Sequence, residues 1–122
     1  MNRTVDTGRN AEDAACVILE RKGYRIITRN FAVHNVGELD IVAEKNGDIY
    51  IFEVKARRYY RNSDYGEPES AVTASKRCKI FKTTKYLVQK FDLYDRCISY
   101  LVISVLFDAT GLIQNVEFIP FE

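Results

Sequence analysis

Histidine is almost absent from this sequence. His34 is the only one in 122 residues, and no second group stands at a spacing that would make it part of a zinc site or a catalytic triad. Cysteine is scarce too. Cys16, Cys78 and Cys97 are odd in number, far apart and without metal-ligand spacing, which is the pattern of reduced thiols packed as small apolar residues in a cytoplasmic protein. Long hydrophobic runs are also missing. The opening MNRTVDTGRN has no apolar signal core, and the longest apolar stretch, Tyr100 to Phe107, is far too short to span a bilayer. No membrane partner is therefore expected. An excess of one charge is lacking as well: 29% of the residues are charged, yet the net charge is only +1, so overall basicity does not announce a nucleic acid. No repeat or low-complexity linker divides the chain, and its length suits one domain, 1–122, with one core.

What is present reads as a helix, a run of strands, a long helix and two more strands. Thr7 can cap a first helix with the apolar stripe Ala11, Ala15, Ile18 and Leu19, and Gly23 supplies its left-handed stop. Glu12 sits at the edge of that stripe. Tyr24 to Val33 has strand character. Pro68 fits the first turn of a second helix that reaches about Phe91 and uses Val72, Ile80, Leu87 and Phe91 as apolar positions. Ile98 to Phe107 reads as a strand apolar enough to be buried on both faces, and Thr110-Gly111 turns the chain into a last strand around Val116 to Phe118.

Between Gly37 and Arg58 the chain runs GELDIVAEKNGDIYIFEVKARR. Asn46-Gly47 favours a two-residue type I′ turn, which pairs Lys45 with Asp48 and sets every pairing behind it. Counting back, Val42 faces Ile51, Asp40 faces Glu53 and Glu38 faces Lys55. Alternation then puts these residues on one face and Leu39, Ile41, Ala43, Tyr50, Phe52 and Val54 on the other. Directly opposed Asp40 and Glu53 repel. A shared proton would relieve them, and so would a hard divalent cation such as Mg²⁺, which needs carboxylate oxygens and water but no His or Cys. Lys55, two residues beyond Glu53, could then orient or deprotonate an attacking water. A plain cross-strand charge network on a solvated face accounts for the same spacing.

G-E-L-D followed after an interval by E-V-K resembles the core of the PD-(D/E)xK nuclease superfamily. The fuller pattern resembles the YraN-type family of small bacterial proteins related to archaeal Holliday-junction resolvases. It includes GRNAEDAA (Gly8 to Ala15), RNF (Arg29 to Phe31), GELDIVA, FEVKAR and YGEPESAVTASK (Tyr65 to Lys76). The resemblance implies a restriction-endonuclease-like α/β fold, a mixed five-stranded sheet with flanking helices. It also implies Asp40, Glu53 and Glu12 as ligands of Mg²⁺ or Mn²⁺, and Lys55 as the catalytic lysine. The chain departs from the family at Leu39 in place of the nominal proline, at Ala11 in place of glycine, and at Ala32 where an arginine often follows the Asn-aromatic pair.

Local charge supplies a substrate surface. Ser70 to Phe91 contains no acid, while Lys76, Arg77, Lys79, Lys82, Lys85 and Lys90 are basic. Arg57, Arg58 and Arg61 follow the E-x-K strand with Tyr59, Tyr60 and Tyr65 interleaved, a composition suited to phosphate contact and stacking. Glu38, Arg57, Arg58, Lys76 and Lys79 are the candidate substrate contacts. The expected activity is metal-dependent hydrolysis of phosphodiesters in structured or branched DNA, against the alternatives of a non-catalytic nucleic-acid-binding module or a nuclease acting on RNA. Resemblance to junction resolvases further implies a twofold homodimer.

Overall fold

The computed structural model describes residues 7–58 and 72–121. Its elements are α1 (Thr7–Arg21), β1 (Arg25–Val33), β2 (Gly37–Lys45), β3 (Asp48–Arg58), α2 (Ala74–Phe91), β4 (Ile98–Phe107) and β5 (Ile113–Pro120). The five strands form one sheet in sequence order. β1, β2 and β3 pair antiparallel, β3 and β4 run parallel across the α2 connection, and β5 returns antiparallel to β4. This is the mixed five-stranded α/β sheet with flanking helices that the sequence implied.

Each helix covers a face of the sheet because its apolar stripe matches a set of inward strand positions. Ala11, Ala15 and Leu19 of α1 meet Ile41, Ala43, Phe52, Ile103 and Val105. The two alanines let the helix come close, and fully burying a side chain the size of Leu19 contributes about 2 kcal/mol. Gly23, at φ 95°, ends α1: Gly23 N–H donates to Glu20 O, and Tyr24 N–H to Leu19 O, the bonding of a Schellman stop. On the opposite face, Ile80 and Leu87 of α2 pack with Leu39, Val42, Ile49 and Ile51. Glu53 on that face is therefore roofed by a helix, while Glu38 stays exposed.

Four expectations need correction or fall elsewhere. α2 starts at Ala74, with Thr73 as its cap accepting from Lys76 N, so Val72 lies outside the helix and packs against the core ahead of it. Pro68, Arg61, Tyr59, Tyr60 and Tyr65 lie outside the described residues, as does the side chain of Thr7, which is α1's first residue. Of the cysteines only Cys16 is buried, while Cys78 and Cys97 are exposed, because α2 and its following loop turn those two outward. Leu39 falls with the α2-side core while Ile41 falls with the α1 side. The alternation slips at Asp40, opposite Asn30, which takes a left-handed φ of 53° in mid-strand.

The β1–β2 turn brings Gly37 against α2 so closely that a Cβ there would lie 2.6 Å from Thr83 Oγ1 and 3.3 Å from Lys79 O. Thr83 Oγ1 cannot simply rotate away, since it donates to that same carbonyl at 2.7 Å. Gly37→Ala should therefore force β2 and α2 apart and lower stability by about 1–3 kcal/mol. Urea denaturation measures this, and an unchanged midpoint would contradict the contact.

Candidate active site

The β2–β3 ladder follows the register set by the Asn-Gly turn from Lys45↔Asp48 to Ile41↔Phe52, and then stops. Beyond that point the expected Asp40↔Glu53 and Glu38↔Lys55 pairs do not form. Side chains take over from backbone. Asp40 Oδ2 accepts from Val54 N–H at 2.9 Å, and Glu53 Oε2 accepts from Asp40 N–H at 3.4 Å. Each acid thus fills a backbone position on the other's strand, which holds the two carboxylates together at the point where the strands part.

Glu53 is 1% exposed. Burial and the Asp40 charge push its carboxyl up to about 7. Asp40 is also raised, first by burial, with Glu12 and Glu38 adding to the rise and the Val54 hydrogen bond and Lys76 opposing it. Among the described residues the one ion pair to either acid comes from α2, with Lys76 Nζ 3.7 Å from Glu53 Oε1. That separation exceeds a hydrogen bond, so the compensation is loose. Above about pH 7, where Glu53 has lost its proton, the pair is a concentration of negative charge that the surrounding side chains only partly neutralise.

The remaining candidates divide. Glu12 projects from the second turn of α1, where its Oε1 accepts from Asn30 Nδ2 at 3.2 Å and from Arg29 at 3.4 Å. Arg29 also donates to Asp13 at 2.8 Å. Glu12 adds to the field at Asp40, but no three acidic, thiol or imidazole groups among the described residues converge as a cation cage. Lys55 lies two residues beyond Glu53 on β3, in register with Ser104 of β4. Arg57 and Arg58 end β3 beside Leu106 and Phe107. Glu38 is exposed at the start of β2 and shares with Lys79 and Gly37 an open hollow of about 430 Å³. Sequence reasoning assigned no role to Asn30, although it fixes Glu12 and marks the slip in both strands. The available signal was its residue type, since Asn tolerates left-handed φ far better than the neighbouring Arg or Phe.

Two carboxylates, a lysine on the same strand and a basic helix alongside can hold a hard cation and present an anion to it. Mg²⁺ commonly takes only one or two protein carboxylates and completes its shell with water and substrate phosphate. The pair fits that donor set.

Residues 11–105 match the model of "Uncharacterised protein family UPF0102". A UPF0102 protein of Persephonella marina is 37% identical over 108 residues, covering 88% of this chain and 90% of that one. Another, from Dictyoglomus turgidum, is 34% identical over 116 residues, covering 94% of each. Among solved structures, a chain in "Structure of EndoMS-dsDNA2 complex" is 17% identical at a TM-score of 0.40, and the match covers 90% of this chain and 41% of that one. No described helix is long and apolar enough to cross a membrane.

The electrostatics of the pair fix a sign for pH dependence. Glu53 titrates near 7 in the folded chain against 4.5 as its ordinary value, so between those values the folded state holds a proton that the unfolded state has lost. Stability of the metal-free protein should therefore fall as pH rises from about 5 to 7, by on the order of 3 kcal/mol shared across the coupled pair, and level off above. Glu44 and Asp108, held down by Arg25 and by Thr110 respectively, act below that window. Urea denaturation at stepped pH checks this: Glu53→Gln should flatten the slope, and a stability that rises over the same range would contradict it. Asp40→Asn keeps an acceptor for Val54 N–H, whereas Asp40→Ala strands that donor and should cost about 1–3 kcal/mol more.

Proposed function

The chain belongs to the UPF0102 family, and we propose that its Asp40–Glu53 pair is the divalent-cation site of an endonuclease that hydrolyses phosphodiesters in DNA. The observation that carries this reading is the placing of two mutually repelling carboxylates, one of them 1% exposed, at a break in the sheet where each is fixed by the other's strand. Folding brings these charges together at a cost, and a cation repays it.

Asp40 and Glu53 hold Mg²⁺ or Mn²⁺, and Glu12 adds negative charge beside Asp40. When bound, the ion supplies Lewis-acid stabilisation of the charge that builds on the phosphoryl oxygens. Lys55 projects from the same strand as Glu53 and orients the attacking water. Lys76 and Lys79 on α2, with Arg57 and Arg58 at the end of β3, place the backbone phosphates, and Glu38 lies at the rim beside Lys79. Phosphate contacts of this kind position a nucleic acid without reading its sequence. Branched DNA is the substrate class implied by the resemblance to junction resolvases, and cutting two symmetry-related phosphates calls for two copies of the chain.

The test is a panel of linear, flapped and four-way DNA and of RNA, each incubated with Mg²⁺, Mn²⁺ or EDTA. Metal-dependent cleavage of branched DNA is expected. Binding without cleavage in any metal would leave the binding module, and cleavage of RNA alone would replace the substrate. Lys55→Met should lower the cleavage rate by about 10²–10⁴-fold while leaving Mg²⁺ binding intact, whereas Asp40→Asn should lose both. Cleavage and calorimetry on the two variants separate these roles, and a fully active Lys55→Met protein would sink the assignment of Lys55.

A further inference from the structure

Lys76 has a position that phosphate contact alone does not account for. Its backbone is fixed in the first turn of α2, where Lys76 N–H donates to the capping Thr73 Oγ1 at 3.1 Å. Its ammonium, by contrast, turns inward to within 3.7 Å of buried Glu53 although the side chain is 42% exposed. A firmly anchored Cα, a flexible stem and a loosely held charged head describe a group that can leave. A divalent ion on Glu53 and an ammonium on the same carboxylate repel strongly at such distances, so one must give way to the other.

We infer that Lys76 is a resident counter-cation, which occupies the charge of the metal site in the metal-free protein and is displaced when the ion binds. The inference rests on the divalent-cation reading of Asp40 and Glu53. Once displaced, the ammonium stays tethered beside the site, free to meet a phosphate. An anion that draws Lys76 away from Glu53 removes the ion's competitor, so substrate and metal each favour the other's binding by linkage. Metal loading is thereby weak until a nucleic acid arrives.

The test measures Mg²⁺ affinity without DNA, at matched ionic strength, for wild type, Lys76→Met, Lys76→Arg and the charge control Lys90→Met at the far end of α2. Lys76→Met should bind Mg²⁺ tighter by on the order of 10-fold, with Lys76→Arg and Lys90→Met close to wild type. Thermal melting supplies the second readout. Without metal, Lys76→Met should melt below wild type because Glu53 has lost its counter-charge, and saturating Mg²⁺ should close that gap. Wild-type binding with equal or weaker affinity in Lys76→Met, or a melting deficit that persists in Mg²⁺, overturns the inference and leaves the cation site standing. No Mg²⁺ binding by any of the proteins overturns the cation site itself and the inference with it.

Discussion

Two backbone amides at the end of the β2–β3 ladder have to find acceptors other than the facing strand. Buried N–H groups left unpaired are costly, and here a carboxylate answers each: Val54 N–H goes to Asp40 and Asp40 N–H to Glu53. The exchange binds the carboxylate pair to the fold. The acids cannot be moved apart without also unsatisfying the sheet, and the sheet cannot close over the gap without displacing the carboxylate pair. A constellation carried on two central strands is held more rigidly than one borne on loops.

The surrounding elements follow from that gap. Asn30 takes a left-handed conformation opposite Asp40, so β1 slips together with β2, and Leu39 and Phe31 turn to the α2 side while Ile41 stays on the α1 side. α1 lies close to the sheet through Ala11 and Ala15 and presents Glu12 to Asn30. α2 roofs the other face through Ile80 and Leu87 and sets Lys76 over Glu53. Both helices thus bring a charged residue from an N-terminal turn towards one carboxylate pair. Exposed Lys79, Lys82 and Lys85 continue the basic surface away from it.

Much of this was legible wherever the determining chemistry is local. Asn46-Gly47 fixes a turn, and the register it dictates holds for every pair from Lys45↔Asp48 to Ile41↔Phe52. The β4 segment is mostly apolar, and its centre from Val102 to Val105 is buried, Ser104 included. What escaped depends on contacts that no spacing encodes. Alternation assumes that a strand keeps pairing with backbone, so it carried the hairpin straight past Asp40, where a side chain takes the amide instead. The same assumption put Leu39 on the wrong face, because a left-handed Asn inside a strand has no turn signature around it. Thr73 was overlooked as a cap because Pro68 offered an earlier start for the same helix. The hold of Asn30 on Glu12 joins residues 18 positions apart, and nothing near either one announces it.

The claim that stands or falls first is that the Asp40–Glu53 gap takes a divalent ion. Paramagnetic broadening of backbone amide signals by substoichiometric Mn²⁺ reads the ion's location directly. The amides of Asp40, Glu53 and Val54 should fade first, together with those in the first turn of α2, and should recover on adding EDTA. Uniform weak broadening over the acidic surface, or losses centred elsewhere with these amides untouched, would contradict it.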